Sequence, residues 1–462
     1  MYDLQNRWKI EGNCLRYYGL RNKGDMFQKK IRITAAQKAI IEKLPCELTK
    51  KELRRIKSLV GTQIVRLEAK KTTPASLEEA RFCAACVAND YIIPGLEFDS
   101  EGRCPLCQTK EETRHLKSIV PVMNSFPHAK RSRFDIAVFY TGGKDSTYLL
   151  YYLSEVQKLR VLALTWEIPY MSDSARKSIE RAKKKLSSVE FISRKMADED
   201  LRKIYRHLYR LNENTCACPS LAYVLFYPEL VANKVPYFVA GNEPSQIMGL
   251  YYNHMAPKIA YTFGENRFFN GLLNVGRVLT LHPPLKKGQF HTLTTMRQLA
   301  YGDNPLKNLF GYSNALVSNA VEAIHQVPAM VRPLKSAIRR SSWSGNIPAF
   351  VQVNLNDISD GCYRWKKVKD IIVEKCGWVP PEDAAKGLHT SCKIEKCKEY
   401  SQFKRFYHMQ SDMIPFSALE IALASRDGSI SREEAMEELR TALGFSMTEL
   451  PECAIMREYF EK

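Results

Sequence analysis

The residues best suited to chemistry in this 462-residue chain are Tyr140-Thr141-Gly142-Gly143-Lys144-Asp145-Ser146. They follow an apolar run, Phe134 to Phe139, with the look of a buried parallel strand. From Ser146 the pattern turns helical, with Leu149, Leu150 and Leu153 forming an apolar face. A helix N-terminus presents unpaired N–H groups and the positive end of its dipole, so it attracts phosphate. Gly142 and Gly143 lack a Cβ, which lets the backbone turn sharply and lie against an anion. Lys144 adds charge, and Thr141 and Ser146 add hydroxyl donors. The spacing is not that of G-x-x-x-x-G-K-[ST], because the glycines are adjacent and Lys144 follows them directly. Two glycines also occur in ordinary strand-to-helix turns, but the combined strand, G-G-K-D-S and helix favour a nucleotide site.

This run resembles the PP-loop, SGGxDS, of the N-type ATP pyrophosphatases, with Thr141 at the first serine and its hydroxyl retained. The resemblance implies an adenine nucleotide alpha hydrolase-like fold that takes ATP and Mg²⁺. In that family the loop holds the β,γ-pyrophosphate while an acceptor oxygen attacks the α-phosphorus. Carried over, Lys144 and the backbone amides would neutralise the leaving pyrophosphate, and Asp145 would hold the loop or a metal-bound water.

Cysteines supply the second signal, thirteen in all. Cys83-Ala84-Ala85-Cys86 is followed after seventeen residues by Cys104-Pro105-Leu106-Cys107. That is the C-x2-C-x15–20-C-x2-C spacing of two zinc knuckles. Four thiolates complete a tetrahedron with no open position, so the expected Zn²⁺ site (or iron in a ribbon) is structural. The insert Ile92 to Gly102 reads as a ribbon hairpin turning at Asp99 to Gly102. Four more cysteines lie near chemistry-bearing segments: Cys216 and Cys218 in N-T-C-A-C-P-S, and Cys392 and Cys397 after His389. They read either as buried thiols or as a sulfur carrier or iron–sulfur ligands, the two closest in sequence, Cys216 and Cys218, being candidate catalytic residues.

The elements that must position these groups alternate. Strands are expected at Val161 to Trp166, Val189 to Ile192 and Pro236 to Asn242, with a basic helix from Ala175 to Leu186. Strand–helix alternation implies an α/β fold with a parallel, doubly wound sheet that binds ligands beyond the strands' carboxyl ends. Thr165, Gly241 and Asn242 are therefore expected on the same rim as the loop. Four domains are expected. Residues 1–78 form a winged-helix-like adaptor or a packing extension, with capping boxes at Thr34 and Thr49. Residues 79–125 form the zinc ribbon, 126–285 the ATP pyrophosphatase domain, and 286–462 a mostly helical region.

Further resemblance is carried by F-C-A-A-C, by G-L-E-F-D-S-E-G-R-C-P-L-C, by C-G-W at Cys376 to Trp378 and by I-S-R-E-E-A at Ile430 to Ala435. These look like the N-acetyl sugar amidotransferases of bacterial surface-sugar synthesis. The same loop occurs in tRNA thiolases and in enzymes that put sulfur into natural products. Residues 1–78 fall outside the amidotransferase pattern. The shared chemistry is adenylation of a carbonyl oxygen, then displacement of AMP by ammonia or sulfide. The spare cysteines favour sulfur, giving a thioamide or thiocarbonyl. The acceptor would be a small molecule or a carrier-protein-bound intermediate, and a [4Fe–4S] cluster or a sulfur donor protein would supply sulfur. An amidotransferase would instead need a glutaminase subunit, and no glutaminase motif is found.

Net charge is +19, from 69 basic and 50 acidic residues, which suits polyanions and leaves tRNA as a third acceptor class. No apolar run reaches transmembrane length, and the first residues carry no signal-peptide pattern. The expectation is a cytoplasmic homodimer with no membrane partner.

Overall fold

The computed structural model describes the chain apart from residues 6, 22–29, 62–63, 68–72, 115, 117, 119, 213–216, 242, 254–266, 303–314, 382–391, 393, 410–413, 442–444 and 462. Near the N-terminus, β1 (Asp3–Leu4) pairs with β5 (Val65–Arg66), and β2 (Trp8–Glu11), β3 (Cys14–Tyr17) and β4 (Lys30–Arg32) form an antiparallel sheet. Three short helices follow β4: α1 (Ala35–Ile41), α2 (Lys50–Arg55) and α3 (Lys57–Gly61). Thr34 and Thr49 each accept from the backbone N–H three residues on, while Gln37 and Glu52 reach back, so both expected capping boxes are formed. Trp8, Leu15, Ile40, Ile56 and Val65 give this region a core of its own.

The cysteine-rich segment carries α4 (Pro105–Gln108) and α5 (Lys110–Arg114). Its expected turn is present: Gly102 N–H donates to the Asp99 carbonyl at 3.0 Å. The expected hairpin strands are not formed: Ile92 to Gly95 lie in turns and a bend, and the residues on either side of the Asp99 turn make no strand pair.

The centre is a five-stranded, wholly parallel sheet in the order β10-β9-β6-β7-β8. Its strands are β6 (Ile136–Phe139), β7 (Val161–Glu167), β8 (Val189–Lys195), β9 (Tyr237–Ala240) and β10 (Ala349–Phe350). Ile136, Ala137, Val138 and the stretch Val161 to Trp166 are buried without alternation, as a sheet covered on both faces requires. The connecting helices are α6 (Lys144–Tyr151), α7 (Asp173–Lys185), α8 (Asp198–Asn212), α9 (Cys218–Ala232) and α10 (Pro244–Tyr252). Further on come α11 (Arg267–Leu279), α12 (Gln289–Tyr301), α13 (Ala315–His325) and α14 (Pro328–Ser344). The chain ends in α15 (Trp365–Cys376), α16 (Ile394–Met409), α17 (Phe416–Asp427), α18 (Arg432–Thr441) and α19 (Pro451–Glu461).

Two features tie the C-terminal third to the sheet. β10 is its fifth strand, and residues from Leu293 to Phe460 share one apolar core with β6, β7 and β9. A buried clamp sets the amino end of β6. The Asp135 carboxylate accepts from Ala129 N–H at 2.6 Å, from Arg160 N–H at 2.9 Å and from the Arg160 guanidinium. Burial alone would raise the pKa of Asp135, but the Arg160 bonds outweigh it and hold the carboxyl well below its ordinary value.

Candidate functional site

The strand order reverses at β6: β7 and β8 lie on one side, β9 and β10 on the other. Ligands of open α/β sheets sit at such a switch point, beyond the carboxyl ends of the strands. The loops that leave β6 and β9 meet there. A Cβ on Gly241 would lie 2.8 Å from the Ser146 nitrogen and 2.9 Å from the Asp145 carbonyl carbon, so only glycine permits the approach. Gly142 has φ +74°, and its Cβ would lie 2.5 Å from the Ala175 oxygen in the first turn of α7. Gly143 caps α6 with extended backbone and no side chain in the way.

Hydroxyls lace the turn. Thr141 N–H donates to Ser146 Oγ at 3.3 Å, Gly143 N–H to Thr141 Oγ1 at 3.3 Å, and Thr147 Oγ1 to the Gly143 carbonyl at 2.7 Å. Thr141 is exposed and Gly143 half-buried, so the outer side of the turn faces solvent. Tyr140 and Thr165 lie beneath it: the Thr165 hydroxyl donates to the Tyr140 carbonyl at 2.9 Å, and both side chains are buried. They brace the loop from inside the sheet.

Lys144 turns inward, only 4% exposed. Its ammonium bonds Asp145 Oδ1 at 2.7 Å and Glu243 Oε1 more closely, with the Tyr363 and Trp365 ring centroids at 4.7 and 4.8 Å. Tyr363 donates its hydroxyl to Asp145 at 2.6 Å, and Trp365 Nε1 donates to Glu243 Oε2 at 2.9 Å. Burial opposes the charge on Lys144, but the two carboxylates outweigh it and raise its pKa. Burial also pushes Glu243 up to about 7, against the pull of Lys144, and raises Glu420 well above the carboxylate range. Asp145, Glu243 and Glu420 bring carboxylate oxygens within 4.8 Å of one another. Three carboxyls crowd one lysine, and burial with their mutual repulsion favours the protonated forms of Glu243 and Glu420. Three oxygen donors in that arrangement could hold a hard cation.

Sequence reasoning did not find Glu243, Tyr363, Trp365 or Glu420 as parts of this cluster. A signal existed for Glu243 alone, because it follows the expected rim residues Gly241 and Asn242. Asn242 itself and Cys216 lie outside the described residues.

No family model and no curated protein sequence matches this chain.

Cys83, Cys86, Cys104 and Cys107 come together. Sγ of Cys83 lies 3.8 Å from that of Cys107, and Cys86 lies 3.6 Å from Cys104. Four sulfurs about 2.3 Å from a tetrahedral zinc are separated by about 3.8 Å, so the cluster fits that ion with no open position. Ala85, Ala88 and Cys104 direct backbone N–H groups at these sulfurs at 3.3–3.4 Å, as a thiolate site requires. Arg432 bonds the carbonyls of Cys83 and Cys86 at 2.7 and 2.6 Å, tying α18 to the first knuckle.

The remaining predicted cysteines divide. Asn233, after α9, accepts from Ser132 at the amino end of β6, while Tyr223 packs 5.5 Å from Phe139 at its carboxyl end. Thus α9 runs antiparallel to β6, and Cys218 at its start lies on the rim side. Cys392 bridges Met171 in the loop after β7, also on that side. Cys397 pairs with Cys453, which sequence reasoning missed. Their mutual hydrogen bond pushes Cys397 well up and Cys453 down, and both line a small cavity with Tyr209, Lys404 and Arg457.

Proposed function

We propose that this protein is an ATP pyrophosphatase-type sulfur transferase. The observation that supports it most is the paired-glycine turn at the β6–β9 switch point, packed closely against its neighbours through Gly241 and Gly142 and leading into the N-terminus of α6. Backbone N–H groups of the turn, with Thr141, would hold the β,γ-phosphates of ATP. Asp145, Glu243 and Glu420 would hold Mg²⁺, which supplies charge neutralisation on the leaving pyrophosphate. Lys144 would keep these carboxylates in register.

In the first step an acceptor carbonyl oxygen bonds to the α-phosphorus, the bond to the β-phosphate oxygen breaks, and pyrophosphate departs. In the second, hydrosulfide adds to the activated carbon and AMP leaves with the former carbonyl oxygen. The product is a thioamide or thiocarbonyl on a small or carrier-bound acceptor. Cys218 and Cys392, on the rim side, favour sulfur over the ammonia of an amidotransferase: one thiolate would take sulfane sulfur from a donor protein's persulfide, and the other would displace it as hydrosulfide, leaving a disulfide that an external thiol reduces. Zinc in the four-cysteine cluster would be structural.

The test is pyrophosphate release from ATP with amide acceptors, with sulfide or ammonium as alternative nucleophiles. Acceptor-dependent pyrophosphate with sulfide incorporation supports the reading. Turnover with ammonium alone, unchanged by Cys218→Ser and Cys392→Ser, selects amidation instead. The absence of ATP binding refutes both.

A further inference from the structure

Of the fourteen large apolar side chains exposed among the described residues, seven lie in one place. Phe268, Leu272, Val275 and Leu279 repeat at intervals of four, three and four along α11, so they form one stripe of that helix. Val278 and Leu281 flank its end, and Trp343 adjoins it, 60% exposed. The stripe points outward because the opposite side of α11 is anchored. Arg277 is turned in, donating to the Pro283 carbonyl at 2.9 Å and the Ser342 carbonyl at 3.0 Å. The His282 ring lies 4.3 Å from that of Trp343, which joins the ends of α11 and α14 into one corner.

This apolar surface has a basic rim. Arg339 and Arg340 precede Trp343 by four and three residues on α14 and share its face. Lys286 follows Leu285, whose N–H donates to Asn274 of α11 at 2.7 Å, and Lys287 is next. All four cations are exposed, and none makes an ion pair among the described residues. The chain around them holds no carboxylate at all: residues 267–302 contain five Lys or Arg and no Asp or Glu, and residues 323–356 contain four and none.

From this arrangement we infer that the α11–α14 corner is a docking face for an anionic lipid membrane. Exposed aliphatic and aromatic side chains would enter the headgroup and acyl boundary while lysines and arginines meet lipid phosphates. The contact is peripheral, since α11 has thirteen residues and no described helix is long and apolar enough to cross a membrane. Charge argues against a second copy of the chain as the occupant, because two such rims would bring eight unpaired cations together. Chemistry argues against RNA, because five of the seven apolar side chains are aliphatic and offer neither stacking nor hydrogen bonds.

The experiment is co-sedimentation of the full chain with phosphatidylcholine vesicles, with and without about 30 mol % phosphatidylglycerol. Trp343 supplies a second readout, since the other four tryptophans are buried and it alone can shift its emission to the blue on insertion. Expected is binding to the anionic vesicles with that blue shift. Leu272→Gln with Leu279→Gln should abolish it, and Arg339→Glu with Arg340→Glu should weaken it about tenfold or more. Circular dichroism melts of these surface variants confirm that they fold. No anionic-vesicle binding by the wild-type chain overturns the inference. So does a light-scattering dimer that Leu279→Gln dissociates, or tight binding of a 20-nucleotide RNA hairpin that the leucine variants retain.

Discussion

Trp378 Nε1 donates to the carbonyl oxygen of Gly142 at 3.0 Å, across 236 residues of sequence. The indole is buried, so this bond satisfies the glycine turn from behind and leaves its outer face free. Trp378→Phe keeps most of the ring but leaves that carbonyl unpaired, at a cost of about 1–3 kcal/mol. Urea unfolding should register the loss. Pyrophosphate release should fall mainly through a higher KM for ATP, because the turn is loosened and no reacting group is removed. An unchanged KM with a stability loss would restrict Trp378 to a packing role.

Two glycines with similar backbone angles separate strain from steric conflict. Gly142 and Gly428 have φ +74° and +81°, but a Cβ on Gly428 meets nothing within 4 Å. Gly428→Ala should cost only the left-handed penalty of about 1–2 kcal/mol. Gly142→Ala should cost more, since its Cβ would lie 2.5 Å from backbone of α7, and should abolish ATP binding. Equal melting temperatures for the two variants would contradict the close packing of the turn.

The Lys144–Glu243 pair is buried on both sides, at 4% and 2% exposure. Removing one member of such a pair leaves an uncompensated charge, typically a loss of about 3–5 kcal/mol. Glu243→Ala is expected in that range by denaturant titration. Asp145 still contacts Lys144 in the variant, so a loss under about 1 kcal/mol would mean that Asp145 alone suffices.

Asp135 predicts an acid limb. Its folded-state pKa is depressed, so its contribution is present above the ordinary value of about 3.9 and is lost as pH falls toward the folded value. Asp135→Asn should lower stability at pH 7 and flatten the decline in melting temperature below about pH 4. A variant curve parallel to that of the wild type would assign acid unfolding to other carboxylates.

Metal removal should act locally. Chelation is expected to release one zinc per cluster and to speed amide exchange in α18, which Arg432 ties to Cys83 and Cys86. Unchanged exchange there after loss of zinc would show that the tie is independent of the metal.

The parallel sheet was legible because buried strands of this type are continuous apolar runs. Val161 to Glu167 and Val189 to Lys195 fall where the pattern placed them, to within a few residues. The two capping boxes and the four-cysteine spacing were equally legible, since each is a short-range chemical rule. Glu243, Glu420, Tyr363 and Trp365 were not, because a carboxylate or ring looks the same in sequence whether it is solvated or closed over a lysine. The inward turn of Lys144 was hidden for the same reason: adjacency to Gly143 suggested an outward charge.

Sequence alone determined the strand–turn–helix unit and the pairing of the two cysteine knuckles, because both depend on residues within a few turns of one another. Only the tertiary structure decided which carboxylates Lys144 meets, which glycines must stay bare and which cysteines lie at the rim end of the sheet. Those outcomes depend on strand order, and β9 lies beside β6 only after the chain between them has folded over the sheet.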